Sequence, residues 1–173
     1  MVEIKVQSLG LDQASKTPVV ILQEVDGERM LPIWIGASEA QAIAAELAGM
    51  KFSRPLTHDL AASLIRGLGG SLQRVIVSRV EDNTYYAEMV VVRGAEVISV
   101  DARPSDSIAI ALRMRAPLFT SDALLAATSV HVDPEDDTEF RPPDEAEKPQ
   151  LSAEELQAYL KKLNPEDLGR FNP

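Results

Sequence analysis

The chain contains no cysteine. Disulfides, thiolate metal sites and thiol nucleophiles are therefore excluded. It has only two histidines, too few for a zinc cluster by themselves, although carboxylates remain available for a hard cation such as Mg²⁺. No apolar run approaches the length that spans a bilayer. The N-terminus, Met1-Val2-Glu3-Ile4-Lys5-Val6, lacks the basic-then-apolar pattern of a secretory leader, so a cytosolic protein is expected. No dinucleotide fingerprint, phosphate loop, nucleophile elbow or HExxH motif occurs.

A hydrophobic fraction of 45% over 173 residues is enough for one real core. The net charge of −10 is unevenly spread: residues 133–173 carry 12 acids and 5 bases, residues 1–132 carry 15 acids and 12 bases. The acidity therefore belongs mostly to the tail, and global charge gives no support to phosphate binding, which depends on Lys and Arg.

Alternation of Val2, Ile4 and Val6 with polar residues predicts a half-buried strand. The run Val19–Leu22 predicts a strand buried on both faces. Asp26-Gly27 predicts a type I′ hairpin leading to a strand over 29–35. Ser38-Glu39-Ala40-Gln41 fits a capping box, with Ala40, Ile43, Ala44 and Leu47 on one helical face. A second helix is expected after Thr57 as N-cap, with Leu60, Leu64 and Leu68 facing inward. Strands over 72–81, 84–93 and 95–101 follow, then a helix opened by Pro104, a short strand at 117–120 and a short helix at 122–127. The expected fold class is α+β: a mixed, largely antiparallel sheet of six to seven strands with helices against it. Residues 1–130 form the domain. Residues 131–150 read as an acidic, Pro-rich linker, and 151–173 as a helical tail with an apolar stripe of Leu156, Tyr159, Leu160 and Leu163.

Two polar clusters concentrate the potential chemistry, Arg54-Pro55-Leu56-Thr57-His58-Asp59 and Asp101-Ala102-Arg103-Pro104-Ser105-Asp106. Each stands where a strand or loop gives way to a helix. Helix starts attract anions, and Arg54 and Arg103 add bidentate phosphate donors, with Thr57 and Ser105 beside them. His58, Asp59 and Asp106 are the candidates for proton transfer. Glu39, Asp59, Asp101 and Asp106 could gather around Mg²⁺ or Mn²⁺ if the helix starts converge. Taken singly, each cluster reads more simply as a capped helix start. Taken together they hold more polar groups than capping requires.

The segments Leu31–Gly36 with Glu39-Ala40, Arg54–Asp59, Thr84-Tyr85-Tyr86-Ala87 and Asp101–Ala109, in that order, resemble the bifunctional nuclease family over about residues 1–130. The resemblance implies an α+β fold, a homodimer or larger homo-oligomer, and phosphodiester hydrolysis in RNA or DNA; the short apolar runs imply no membrane partner. The alternative is a non-catalytic regulatory module that holds an anionic ligand or a protein partner in the same pocket.

Overall fold

A computed structural model describes residues 1–12 and 14–128. The expected linker over 131–150 and helical tail over 151–173 lie outside the described residues. The elements are β1 (Val2–Asp12), β2 (Thr17–Glu24), β3 (Met30–Trp34), α1 (Ala37–Leu47), α2 (Thr57–Gly67), β4 (Ser71–Glu81), β5 (Thr84–Arg93), β6 (Glu96–Ala102), α3 (Pro104–Met114), β7 (Leu118–Thr120) and α4 (Asp122–Thr128). The seven strands form one sheet in the order β3-β2-β1-β7-β4-β5-β6. Every pairing is antiparallel except β4 with β7. The mixed α+β architecture is the one the sequence predicts.

Two three-stranded meanders, β1–β3 and β4–β6, flank the short β7, which ties them together. The core lies between sheet and helices: Val20, Leu22, Leu31, Val75, Val77, Ile43, Ile108 and Leu125 are all fully buried. The Asp82-Asn83 turn is as tight as two residues allow, and both hold positive φ, at 47° and 60°. Pro104 takes the first turn of α3, where its missing N–H costs nothing.

Three local expectations in the first part of the chain are corrected. β2 is not buried on both faces; Val20 and Leu22 are buried while Val19 and Ile21 are half-buried, so only one face is fully covered. Asp26-Gly27 is not a type I′ turn, since neither residue has positive φ. The connection is longer, and a fork from Arg29 to Glu24 closes it at 2.8 and 2.9 Å. Ser38 does not cap α1, whose N-cap is Gly36. Glu39 instead folds its carboxylate back toward its own N–H, and a Cβ at position 36 would collide with it.

The largest correction concerns α2. Leu60, Leu64 and Leu68 face outward, at 52%, 56% and 70% exposure, while Ala62 is buried and Ala61 and Ile65 pack on the core. The small alanines let α2 approach α3 closely. With Leu56, the exposed leucines recur every fourth residue and so form one ridge along the helix.

The two classes of apolar side chain should respond differently to truncation. Ile108→Ala is expected to cost about 3 kcal/mol in urea denaturation, as buried aliphatics do. Leu64→Ala should cost less than about 0.5 kcal/mol in the monomer, as at other exposed positions. A large loss at Leu64 that does not vary with protein concentration would contradict the outward orientation.

Candidate active site

The helix starts of α1, α2 and α3 carry linked ion pairs. Arg103 is the N-cap residue of α3. Its Nε donates to Asp106 at 2.8 Å, and its Nη1 lies 3.0 Å from Glu39 on α1. Asp106 in turn accepts a hydrogen bond from His58 Nε2 on α2 at 3.0 Å. A chain of four groups, Glu39–Arg103–Asp106–His58, therefore joins three helices.

A second knot lies beside it. The Arg113 side chain, only 6% exposed, donates to the Asp59 carboxylate. Its remaining donors reach the carbonyl of Ala109 at 2.9 Å and that of Ala42 on α1 at 3.3 Å. Asp59 also accepts the Leu56 N–H at 2.8 Å. The expected cap by Thr57 is thus replaced: Leu56 occupies the N-cap position, Thr57 is the first helical residue, and the acid at the third position receives the orphan donor.

These contacts set the protonation states. Arg113 and the Leu56 N–H hold the Asp59 carboxyl below its ordinary value of 3.8. Burial works against the charge on Asp106, but the hydrogen bonds from Arg103 and His58 outweigh it and lower its pKa. Glu39 is lowered by its own backbone N–H and by the Ser38 hydroxyl, with Arg103 adding to the effect. All three acids are therefore ionised at neutral pH.

The first network opens into a cleft of about 480 Å³. Glu39, Arg103 and Ser105 line it together with Trp34, Asn83 and Tyr85. Its walls come from β3 and β5, which are separated by four strands in the sheet order. The sheet must curl strongly to bring both to one cleft.

The sequence-predicted residues divide into three groups. Glu39, His58, Arg103 and Asp106 are connected directly, and Ser105 lines the adjoining cleft. Asp59 is held by Arg113 instead. Arg54, Thr57 and Asp101 are exposed and take no part in the network. Among the described residues no three His, Asp or Glu side chains are arranged to hold a metal ion. The carboxylates do not form a ready cation cage, since each of the network's acids already has a cationic partner. Arg113, Trp34 and Asn83 were not foreseen as site residues. Arg113 had a legible signal: Ala109 and Arg113 are four apart on the face of α3 that carries Ile108 and Leu112, and a cation there needs an acid.

The comparisons with known proteins bear on this site. The model of the bifunctional nuclease domain matches residues 20–133. The uncharacterised protein Rv1829 of Mycobacterium tuberculosis is 41% identical over 170 residues, covering 96% of this chain and 98% of that protein. Bifunctional nuclease 2 of Oryza sativa subsp. japonica is 26% identical over 116 residues, 65% of this chain and 36% of its own length. Bifunctional nuclease 1 of Arabidopsis thaliana is 24% identical over 119 residues, 66% of this chain and 37% of its own. The chain thus spans little more than a third of these plant relatives.

Removing one partner of the buried knot should be costly. Asp59→Ala leaves the buried Arg113 with only the more distant Glu46 carboxylate, 4.0 Å away, and a loss of about 3 kcal/mol is expected. Because the folded pKa of Asp59 is lowered, its contribution is complete above its ordinary value of 3.8 and disappears as pH falls through the folded value. Urea midpoints measured across this acid range should therefore fall less steeply in Asp59→Asn than in the wild type. Parallel curves would contradict the pairing.

Proposed function

The chain belongs to the bifunctional nuclease domain family, and from that premise we propose that it hydrolyses phosphodiester bonds in RNA or DNA at the His58–Asp106–Arg103 network. The observation that carries this reading is the His58–Asp106 hydrogen bond of 3.0 Å beside an arginine whose side chain is 66% exposed at the cleft. In neutral His58, Nε2–H donates to Asp106, which leaves Nδ1 as an acceptor. That nitrogen takes the proton of an attacking water. The water oxygen bonds to phosphorus, the bond to the leaving oxygen breaks, and the proton returns to that oxygen. Arg103 offers a planar pair of N–H donors to the phosphoryl oxygens, and Ser105 a further hydroxyl.

Arg103 is currently shared by Glu39 and Asp106, so a phosphate must compete with one of them. A divalent cation between the same acids would have to displace the guanidinium. Dependence on Mg²⁺ or Mn²⁺ would therefore be read from cleavage with and without the cation. The exposed Arg103 also suits the non-catalytic reading, in which the cleft retains an anion without cleaving it.

Cleavage of labelled single-stranded RNA and DNA, with Mg²⁺, Mn²⁺ or EDTA, separates these readings. His58→Ala should lower kcat/KM by about 10²-fold or more, the usual contribution of a positioned acid–base group, and Arg103→Ala by about 10²-fold as well, the usual cost of removing a donor to developing negative charge. Arg93→Ala, on the far hairpin, should retain activity. Equal activity in all preparations would point to a contaminant and overturn the catalytic assignment.

The expected homo-oligomer is part of the same proposal, and the ridge of Leu56, Leu60, Leu64 and Leu68 supplies its contact. With Met50 and Phe52 in the preceding connection also about half exposed, the apolar area is on the order of 600 Å². Monomers seldom leave so much uncovered, and a standard interface buries about 800 Å² per partner. A second copy offers the same ridge. Light scattering should find a dimer or larger species in the wild type and a monomer in Leu60→Glu/Leu64→Glu. A wild-type monomer would remove this contact.

A further inference from the structure

We propose that the cleft beside Arg103 is a pocket for one unpaired nucleobase, so that the protein engages single-stranded and not duplex nucleic acid. The inference rests on the nuclease reading and names its substrate class.

The cleft volume of about 480 Å³ falls in the range of small-molecule sites. Four features of its lining point to one ligand chemistry. The first is Trp34, whose indole stays half exposed at 50%. Its Nε1–H donates to Asp12 at 3.0 Å, which fixes the ring by one edge and leaves a flat apolar surface in place before any ligand arrives. Such surfaces are what bases stack on. The second is Asn83, held at φ 60° by the two-residue turn between β4 and β5, which brings an amide to the cleft. An amide carries donor and acceptor side by side, matching the polar edge of a base.

The third feature is Ser105. The residue is only 6% exposed, but its hydroxyl has no hydrogen-bond partner among the described residues and is not itself shut off from the cleft it lines. It is therefore free to donate to, or accept from, a ligand atom. The fourth is Arg103, the cleft's cation, which suits a phosphate. A planar ring with a polar edge, joined to an anion, is a nucleotide unit. In a duplex, both faces of a base are stacked and its pairing edge is occupied. Only an unpaired or extruded base can present its face to Trp34 and its edge to Asn83.

Trp34 is the chain's single tryptophan, so its fluorescence reports on this cleft alone. The full chain in EDTA should be titrated with a single-stranded oligonucleotide, a nucleoside monophosphate, ribose 5-phosphate, inorganic phosphate and a blunt duplex. Quenching is expected with the two base-bearing ligands, none with the two base-free phosphates, and at least tenfold weaker binding with the duplex. The oligonucleotide arm and the mononucleotide arm distinguish a strand from a free nucleotide as the source of the base. A labelled strand followed by anisotropy should bind Trp34→Leu about tenfold more weakly, the loss of one stacked base, and Trp34→Phe nearly as well as the wild type. Trp34 sits half exposed on the edge strand β3, and circular dichroism of both variants checks that they fold. Equal quenching by base-free phosphate, duplex binding as tight as the single strand, or unchanged affinity in Trp34→Leu would overturn the proposal. Binding is read without turnover, so the two claims fail separately. Cleavage without base-dependent quenching removes the pocket and leaves the nuclease; base-dependent quenching without cleavage does the reverse.

Discussion

The structure depends on one buried cation. Arg113 arises in the last turn of α3, with its side chain almost wholly out of solvent, and spends its donors on three helices. A guanidinium in that position is tolerable only if its charge is matched and its N–H groups are satisfied. Asp59 supplies the charge, and the carbonyls of Ala42 and Ala109 accept the rest. Such a pair adds little net stability compared with a well-packed apolar pair. Its value is geometric. Fixing Asp59 fixes the start of α2, and His58 is the adjacent residue. The approach of His58 to Asp106 thus follows from an interaction made one residue away.

Burial separates the two arginines into different tasks. Arg113 is enclosed and its partners cannot exchange with a ligand without opening the helix layer. Arg103 is two-thirds exposed and lines the cleft together with its partner Glu39. An exposed ion pair contributes little to stability and exchanges partners readily. The same residue type therefore acts as a fastener in one place and, on the proposed reading, as an anion receptor in the other.

Much of the fold was legible in local pattern. Strand alternation, the Asp82-Asn83 turn and Pro104 all predict what is observed, because each depends on backbone preferences of a few residues. The orientation of α2 was not legible. Leu60, Leu64 and Leu68 define a face, but an i, i+4 ladder reads identically whether it meets the core or another surface. The deciding residues are the alanines opposite, which carry too little hydrophobic signal to win a sequence comparison. The site was half legible for a similar reason. The Arg-Pro clusters marked the helix starts that converge, yet the sorting of Asp59 from Asp106 depends on Arg113, 54 residues away from the first. The cleft itself depends on the curl of the sheet, which brings Trp34 and Asn83 together from distant strands and has no local signature.

On the proposed function, nucleic-acid phosphate is received beside a His58 already held by Asp106. The chain has only two histidines, His58 and His131, so their imidazole signals can be told apart by NMR with a single His131→Gln variant. Adding a single-stranded oligonucleotide in EDTA should shift the His58 ring resonances in a saturable way and leave those of His131 unmoved. A His58 signal indifferent to the strand, under conditions where the strand is bound, would place the bound phosphate elsewhere and contradict the account.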